Sequence, residues 1–510
     1  MRTRAKLIGL VVGPIFALIL YAWLPEQYLN EQGEWVALNS AARAAASVGL
    51  WMAVWWITEA ISVYATALLP LAVFPLIGAA SMKATAASYG HELIYLFLGG
   101  FILAMALESC GLHRRFAIRV LSLVGTRPTR IVGAFMGLAA FISMWVTNTA
   151  TTIMLLPVAL SIIRMVSGPE STDDRPATVK PVTDVANRPD RNLPVCLLLG
   201  VAYAASIGGV GTIIGTAPNA FLVSFIQNQT GQQISFARWM TIGVPFVLVF
   251  LPLLWWLLCR RIYPVTTTTI PGADELLANL NKQLGNMSRQ EKLTMTIFVM
   301  TAAAWICRPL LNTVHFWGSA PLAGLTDSGI AVIAALLLFV TPVDISKGEF
   351  LIDWHTAVKL PWGLLILFGG GLSLAAALDN TGFSEFLGSR ALILAQLPTV
   401  VIVMFITGMM IFLTEMTSNT ATTATLIPVL YAVAVGLGID PFLLIIPAGI
   451  AASCAFMLPV ATPPNAIVFG SGLVTIPQMS RAGLRLNLVG IVVLTVLTYA
   501  LIIPVFGIME

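Results

Sequence analysis

Apolar runs long enough to cross about 30 Å of hydrocarbon recur from one end of the chain to the other. They lie near residues 7–24, 44–62, 64–80, 91–111, 240–259, 293–311, 328–342, 360–378 and 486–507. Two more, 193–228 and 441–474, are broken by Pro and Asn, which makes eleven spans. In lipid, every backbone N–H and C=O must be paired within the protein, so such runs can fold only as packed helices. Charged residues are 10% of the 510, against about 25% in soluble domains. That is too little charge to cover a water-facing surface. The chain reads as an all-α polytopic membrane protein, with lipid as its surroundings and no nucleic-acid partner.

Two further apolar regions, 131–166 and 399–439, are each a pair of short arms around a polar motif. The stretch from Met416 to Thr425 carries seven hydroxyl or amide side chains in ten residues. The first arm of the earlier pair, about 131–146, would reach only about 24 Å as a helix. That length favours a re-entrant hairpin.

The chain is two copies of one unit. "GGFILAMALESCGL" (Gly99 to Leu112) matches "GGLSLAAALDNTGF" (Gly370 to Phe383), a shift of 271. "TNTATTIMLLPV" matches "SNTATTATLIPV" at the same shift. Thr216, Pro218 and Asn219 match Thr462, Pro464 and Asn465 at a shift of 246. The difference is an insertion in the first copy, the Pro-rich, charged segment 167–192, which reads as a flexible loop. The expected domains are an N-terminal membrane helix (1–24), a first repeat (25–262), a cytoplasmic linker (263–292) and a second repeat (293–510). The first repeat holds scaffold helices 43–123, hairpin 131–166, loop 167–192, broken helix 193–228 and helix 240–262. The second holds scaffold helices 293–378, hairpin 399–439, broken helix 441–474 and helix 486–507.

Charge placement tests this order. With the N-terminus inside and each hairpin returning to its own side, 22 of the 27 Lys and Arg fall inside. The positive-inside rule is met, and the C-terminus falls outside. The same parity holds for a hairpin and for a pair of full spans. On this reading the first hairpin enters from inside and the second from outside, so the repeats are inverted. Inverted repeats with interrupted helices are a pattern of secondary transporters, with the site where the repeats meet. The N-terminal run has basic residues and no small-residue cleavage site before the next span, so it reads as a retained helix. The run "LHRRFAIRVLSL" reads as an amphipathic basic helix at the cytoplasmic interface.

The polar motifs carry the chemistry. Ser, Thr and Asn at Thr147-Asn148-Thr149 and Ser418-Asn419-Thr420 are natural helix N-caps. Tips so placed aim N–H groups and positive helix ends at a site for an anion. Proline at the breaks removes an N–H and frees a carbonyl four residues back, which singles out Ile214, Pro459 and Val460. With the oxygen of Asn219 or Asn465, free carbonyls would make an all-oxygen cage for a hard monovalent cation such as Na⁺, one per repeat. The stretches 131–163, 193–237 and 441–480 contain no charged residue. An anion bound there must be met by hydroxyls, amides, helix ends and co-bound cations, which is a route to coupled symport. Any one motif alone fits interhelical hydrogen bonding or a simple kink; four in matched copies point to a site. Glu415 is the acid beside one tip, and its repeat mate is Met144. It is a candidate for a structural, cation or proton role. The five cysteines show no CxxC spacing and the four histidines do not cluster, so neither a disulfide framework nor a metal site of that type is expected.

These motifs, with "TPPNAI" (Thr462 to Ile467), "WWITEAISVYATALLPL" and "ALESCGLHRRFAIRVL", resemble the divalent anion/sodium symporter (DASS) family over almost the whole chain. The resemblance implies a homodimer with eleven membrane helices and two re-entrant hairpins per subunit, moving as an elevator in the cytoplasmic membrane. It implies a transporter, not an enzyme, for dicarboxylates or citrate, coupled to Na⁺ or running as an exchanger. Carried over by position, one Na⁺ would sit among Ser143, Thr147, Asn148 and Gly215. A second would sit among Thr414, Thr417, Asn419 and Ala461. Substrate carboxylates would meet Asn148, Thr149, Thr216, Ser418, Asn419, Thr420, Thr462 and Pro463. Thr147 stands where the family has Ser, and the first break reads Thr-Ala-Pro. Thr at the third position of both tips resembles the dicarboxylate-carrying members, so C4-dicarboxylate uptake is the leading expectation.

Overall fold

Helices begin where local chemistry allows them to. Asn39, Ser235, Thr326 and Thr475 each accept a backbone N–H from the first turn of the helix they open, as N-cap residues do. The computed structural model describes residues 2–30, 33–125, 127–167, 192–265, 273–315 and 320–508. Apart from two small antiparallel strand pairs, Gln27–Leu29 with Trp35–Ala37 and Pro342–Asp344 with Glu349–Phe350, the regular structure is helical.

Among the described residues, eight helices are long and apolar enough to cross a membrane. They are Lys6–Trp23, Met82–Ser109, Asn192–Gly209, Phe236–Ile262, Arg289–Leu311, Trp362–Asn380, Asn419–Gly436 and Ile476–Phe506. The structure divides other expected spans. Region 64–80 is two short helices, Val63–Thr66 and Leu69–Ile77, the second starting with Pro in its first turn. Region 328–342 is a helix of 14 residues, Asp327–Val340.

The repeat recurs element by element. Glu92–Ser109 corresponds to Trp362–Asn380, and Leu112–Val124 to Phe383–Ala391. The first hairpin is Pro128–Ser143 and Asn148–Ser167; the second is Thr399–Thr414 and Asn419–Gly436. The first broken helix is Asn192–Gly209 and Ala217–Thr230; the second is Phe442–Ala451 and Pro463–Gly470. Phe236–Trp256 and Ile476–Leu497 follow, and both run on into a π-helical turn. The expected loop 167–192 lies outside the described residues except at its ends. The expected linker 263–292 contains a helix, Ala273–Leu284.

The basic amphipathic helix turns one of its arginines inward. Leu112–Val124 buries Leu112, Ala117, Ile118 and Leu121, but Arg115 turns inward with them. Its guanidinium makes paired bonds to Glu291 at 2.7 and 3.0 Å and donates to the carbonyls of Leu284, Gly285 and Asn286. A buried, bidentate pair with its remaining donors satisfied is costly to break from one side, about 3–5 kcal/mol. It fastens this helix to the segment joining the repeats. A second pair, the partly buried Arg308 with the buried Asp327 at 2.7 Å, joins two scaffold helices. The other oxygen of Asp327 accepts the backbone N–H of Phe236, the start of the helix that follows the first broken helix.

Each hairpin packs on its own broken helix and on half of the other one. Asn148–Ser167 lies against Asn192–Gly209 and Pro463–Gly470; Asn419–Gly436 lies against Phe442–Ala451 and Ala217–Thr230. Small residues permit the closest approaches, as expected where lipid offers no hydrophobic drive between helices. A Cβ on Gly208 would sit 2.2 Å from the carbonyl oxygen of Ala140 in the first hairpin. Gly388 and Gly436 bring two backbones together in the same way.

Gly208→Ala should therefore lower the melting temperature of the detergent-purified protein, by an overpacking cost of about 1–3 kcal/mol. Gly137→Ala is the control. A Cβ there meets nothing within 4 Å, and gain of helix propensity should leave it neutral or up to about 1 kcal/mol more stable.

Candidate functional site

The breaks in the two interrupted helices are whole unwound loops, residues 210–216 and 452–462, rather than kinks. Pro218 and the pair Pro463-Pro464 stand in the first turn of the second half-helix, where a missing N–H costs nothing. This corrects the expectation that proline itself frees Ile214, Pro459 or Val460. Asn219 and Asn465 spend their amide N–H groups on loop carbonyls, while their side-chain oxygens are buried without a hydrogen-bond partner and stay open to a cation. The Asn219 amide donates to the carbonyls of Gly209 and Thr212 at 3.2 and 2.8 Å. Asn465 donates to Ala455 and Leu458, the positions 246 residues on, at 3.1 Å each. Both amides staple the loops that they follow.

The oxygens that do converge come from the hairpins. Asn148 turns Oδ1 toward the carbonyls of Ala205 (3.2 Å) and Gly215 (3.3 Å) and toward Ser143 Oγ at 2.5 Å. The Ser143 hydroxyl donates to Ala205 O at 2.6 Å. With Oδ1 in this orientation, an amide oxygen faces only acceptors. Turning the amide over would pair it; so would a cation, because hard cations gather carbonyl, amide and hydroxyl oxygens at about 2.3–2.6 Å. Gly209 makes the approach possible, since a Cβ there would lie 2.6 Å from Asn148 Oδ1. The second repeat builds the same unit. Thr414 Oγ1 lies 2.7 Å from Asn419 Oδ1 and donates to Ala452 O at 3.0 Å. Ser143 and Thr414 are fully buried behind the tips.

Of the proposed cation ligands, the structure gathers Ser143, Asn148 and Gly215, and Thr414 with Asn419. It adds Ala205 and Ala452, which sequence reasoning missed; only their spacing of 247 from one repeat to the next signals them. Thr147 and Thr417 are spent elsewhere. Thr147 Oγ1 accepts the N–H of Ala150 at 3.3 Å. Thr417 Oγ1 bonds Leu413 O and Thr422 Oγ1. Ala461 stands at the end of the second loop, on the cavity wall.

All eight expected substrate residues line one cavity of about 840 Å³: Asn148, Thr149, Thr216, Ser418, Asn419, Thr420, Thr462 and Pro463. The size suits a small-molecule site, ~300–1,000 Å³. Four helices start at its wall, at Asn148, Ala217, Asn419 and Pro463. Their positive ends favour an anion, although the Pro463-Pro464 start offers no free N–H, since Asn465 N–H is bonded to Thr462. Thr462 accepts Asn465 N–H at 3.3 Å, whereas Thr216 and Ser418 make no capping bond. Their hydroxyls are free to meet a ligand.

Glu415 has a definite role. It is 3% exposed, and its carboxylate accepts the backbone N–H groups of Phe456, Met457 and Leu458 at 2.6, 2.8 and 3.1 Å. The amide of Asn487 donates to it at 2.8 Å. Tyr203 OH donates to Phe456 O at 2.7 Å from the other side. Glu415 therefore holds the second unwound loop, which carries Ala452 and Ala461. In the first repeat a side-chain hydroxyl does this work: Thr212 Oγ1 donates to the carbonyl of Met144 at 2.5 Å and accepts Gly215 N–H at 3.1 Å.

Glu415→Gln should place an NH₂ among donors and leave at least one buried group unpaired, at about 1–3 kcal/mol. The melting temperature should fall, and half-maximal Na⁺ activation should need several-fold more Na⁺. Wild-type values for both would remove this role.

Comparison with known proteins agrees with the geometry. The family model described as "Sodium:sulfate symporter transmembrane region" matches residues 32–508. The sodium-dependent dicarboxylate transporter SdcS of Staphylococcus saprophyticus is 39% identical over 505 residues, 99% of this chain and 92% of that protein. Its counterpart from Staphylococcus aureus strain bovine RF122 / ET3-1 is 38% identical over 507 residues, with 99% and 93% covered. The crystal structure of the Alcanivorax borkumensis YdaH transporter, at 14% identity, aligns with a TM-score of 0.60 over 99% of this chain and 98% of that one, a likeness of fold. The chain belongs to the sodium:sulfate symporter (DASS) family and is a multi-pass membrane transporter, not an enzyme.

Proposed function

We propose that this chain imports C4-dicarboxylates of the succinate, fumarate and malate class across the cytoplasmic membrane, coupled to Na⁺. The observation that carries the reading is the matched pair of oxygen clusters, at Asn148 and Asn419, each opening a helix that points into one cavity. The names of the relatives, sodium-dependent dicarboxylate transporters, support the same substrate and ion.

The coupling follows from charge. The hairpin tips and the breaks supply dipoles but no cation to a dianion. Na⁺ held by Ser143, Asn148, Ala205 and Gly215, and by Thr414, Asn419, Ala452 and Ala461, would supply it. Asn148 and Asn419 touch both ligands, through Oδ1 to the ion and through helix N-terminal N–H groups to the carboxylates. Each ligand then raises affinity for the other by the same factor.

Transport is read as an elevator. The hairpins and broken helices move as a unit past the scaffold, with two copies of the chain in a homodimer, eleven membrane helices and two re-entrant hairpins per subunit. With the N-terminus cytoplasmic and the C-terminus extracytoplasmic, the cavity lies toward the cytoplasm. It is walled by Phe101, Met105 and Glu108 late in one scaffold helix and by Leu364 and Leu367 early in its repeat mate. At the other end of the first of these helices, Glu92 is bonded by Gln227 and Gln233. This supports a cytoplasm-open state.

Succinate uptake into proteoliposomes should rise strongly with an inward Na⁺ gradient. Uptake indifferent to Na⁺ but driven by internal dicarboxylate would make the chain an exchanger, of citrate or tartrate against succinate. Asn148→Ala and Asn419→Ala should each shift Na⁺ activation to higher concentration by about tenfold or more, for roughly 1.4 kcal/mol of lost coordination. Unchanged activation in both would remove the ion assignment.

A further inference from the structure

Three charged residues line the cavity among those described: Glu59, Glu108 and Lys359. Glu59 ends its helix in the left-handed region at φ 47° and faces Lys6 at 3.5 Å. Its charge is already countered. Glu108 stands on the opposite scaffold helix and also borders a second cavity with His113 and Arg114. Lys359 is different. It is exposed, and no carboxylate lies within ion-pair distance of its ammonium among the described residues. Its backbone is fixed from both sides. Asp353 caps the turn before it by accepting Thr356 N–H at 2.8 Å, Lys359 N–H donates to Thr356 O, and Trp362 Nε1 donates to Val358 O. Lys359, on a firm turn, thus lines a cavity whose hairpin-tip and loop residues are all neutral.

We propose that Lys359 is the capture residue for the dianion. It draws the substrate into the cavity and meets the carboxylate that is not yet seated on the hairpin tips. A low-dielectric wall with one free cation focuses field lines and raises the local concentration of anions. The charge sits outside the tips, so it acts on capture and apparent affinity while the oxygen clusters keep control of Na⁺. Its pull grows with the charge of the ligand and is screened by salt over a Debye length of about 10 Å at 0.1 M.

This inference rests on the dicarboxylate reading. The test is succinate binding to the purified full-length protein in detergent, at saturating Na⁺, with ionic strength raised by choline chloride. Lys359→Gln should weaken succinate binding by about tenfold at low ionic strength, and the gap should close at high ionic strength. The loss should be larger for citrate than for succinate. Lys359→Arg should restore binding, and the Na⁺ dependence of both variants should match wild type. Unchanged succinate binding by Lys359→Gln at low ionic strength overturns the proposal. So does a loss that salt does not reduce, since that would be a change of shape. Failure of the wild-type protein to bind any dicarboxylate would instead overturn the reading on which it rests.

Discussion

Peptide groups cannot be left unpaired at membrane depth, and everything at this site follows from how two unwound loops meet that demand. The loops 210–216 and 452–462 interrupt helices that would otherwise satisfy themselves. Neighbours must supply what the helix gave up. Asn219 and Asn465 gather loop carbonyls, Trp239 Nε1 donates to Val210 O, Tyr203 OH to Phe456 O and Ser480 Oγ to Met457 O. What remains is a short set of carbonyls facing the hairpin hydroxyls and amides, and four helix starts facing the cavity. The first set suits cations and the second an anion, and they lie side by side because the same loops create both.

The two repeats solve one problem by different chemistry. Loop 452–462 presents three consecutive N–H groups that need an acceptor with more than one lone pair. A carboxylate provides it, and the donors offset the charge that burial penalises. Loop 210–216 is shorter, and a hydroxyl and a backbone carbonyl suffice. The symmetry is therefore strict at the amide staples and hairpin oxygens, and relaxed in the supports behind them. The acid belongs to the support, not to the hairpin oxygen clusters.

Cross-packing ties the halves into one working part. Each hairpin seats against a half-helix of the other repeat, and Tyr203 of the first repeat holds the loop of the second. The scaffold side carries its own fastenings, Arg115 with Glu291 and Arg308 with Asp327.

Much of this was determined by sequence alone. Apolar run length gave membrane helices, since hydrocarbon thickness admits few alternatives, and the shifts of 271 and 246 gave the repeat. That the eight residues expected at the substrate would share one cavity was legible, because capping motifs sit at helix starts and the repeat brings those starts together. Tertiary structure decided what depends on packing across the chain. It replaced proline kinks with whole loops, brought the carbonyls of Ala205 and Ala452 to the hairpin hydroxyls, and turned Thr147 and Thr417 to local bonds. It also gave Glu415 three backbone partners some 40 residues away. Carbonyl oxygens leave no mark on residue identity, and a carboxylate does not announce which distant N–H groups it will find. Those choices are made only when the hairpins close on the broken helices.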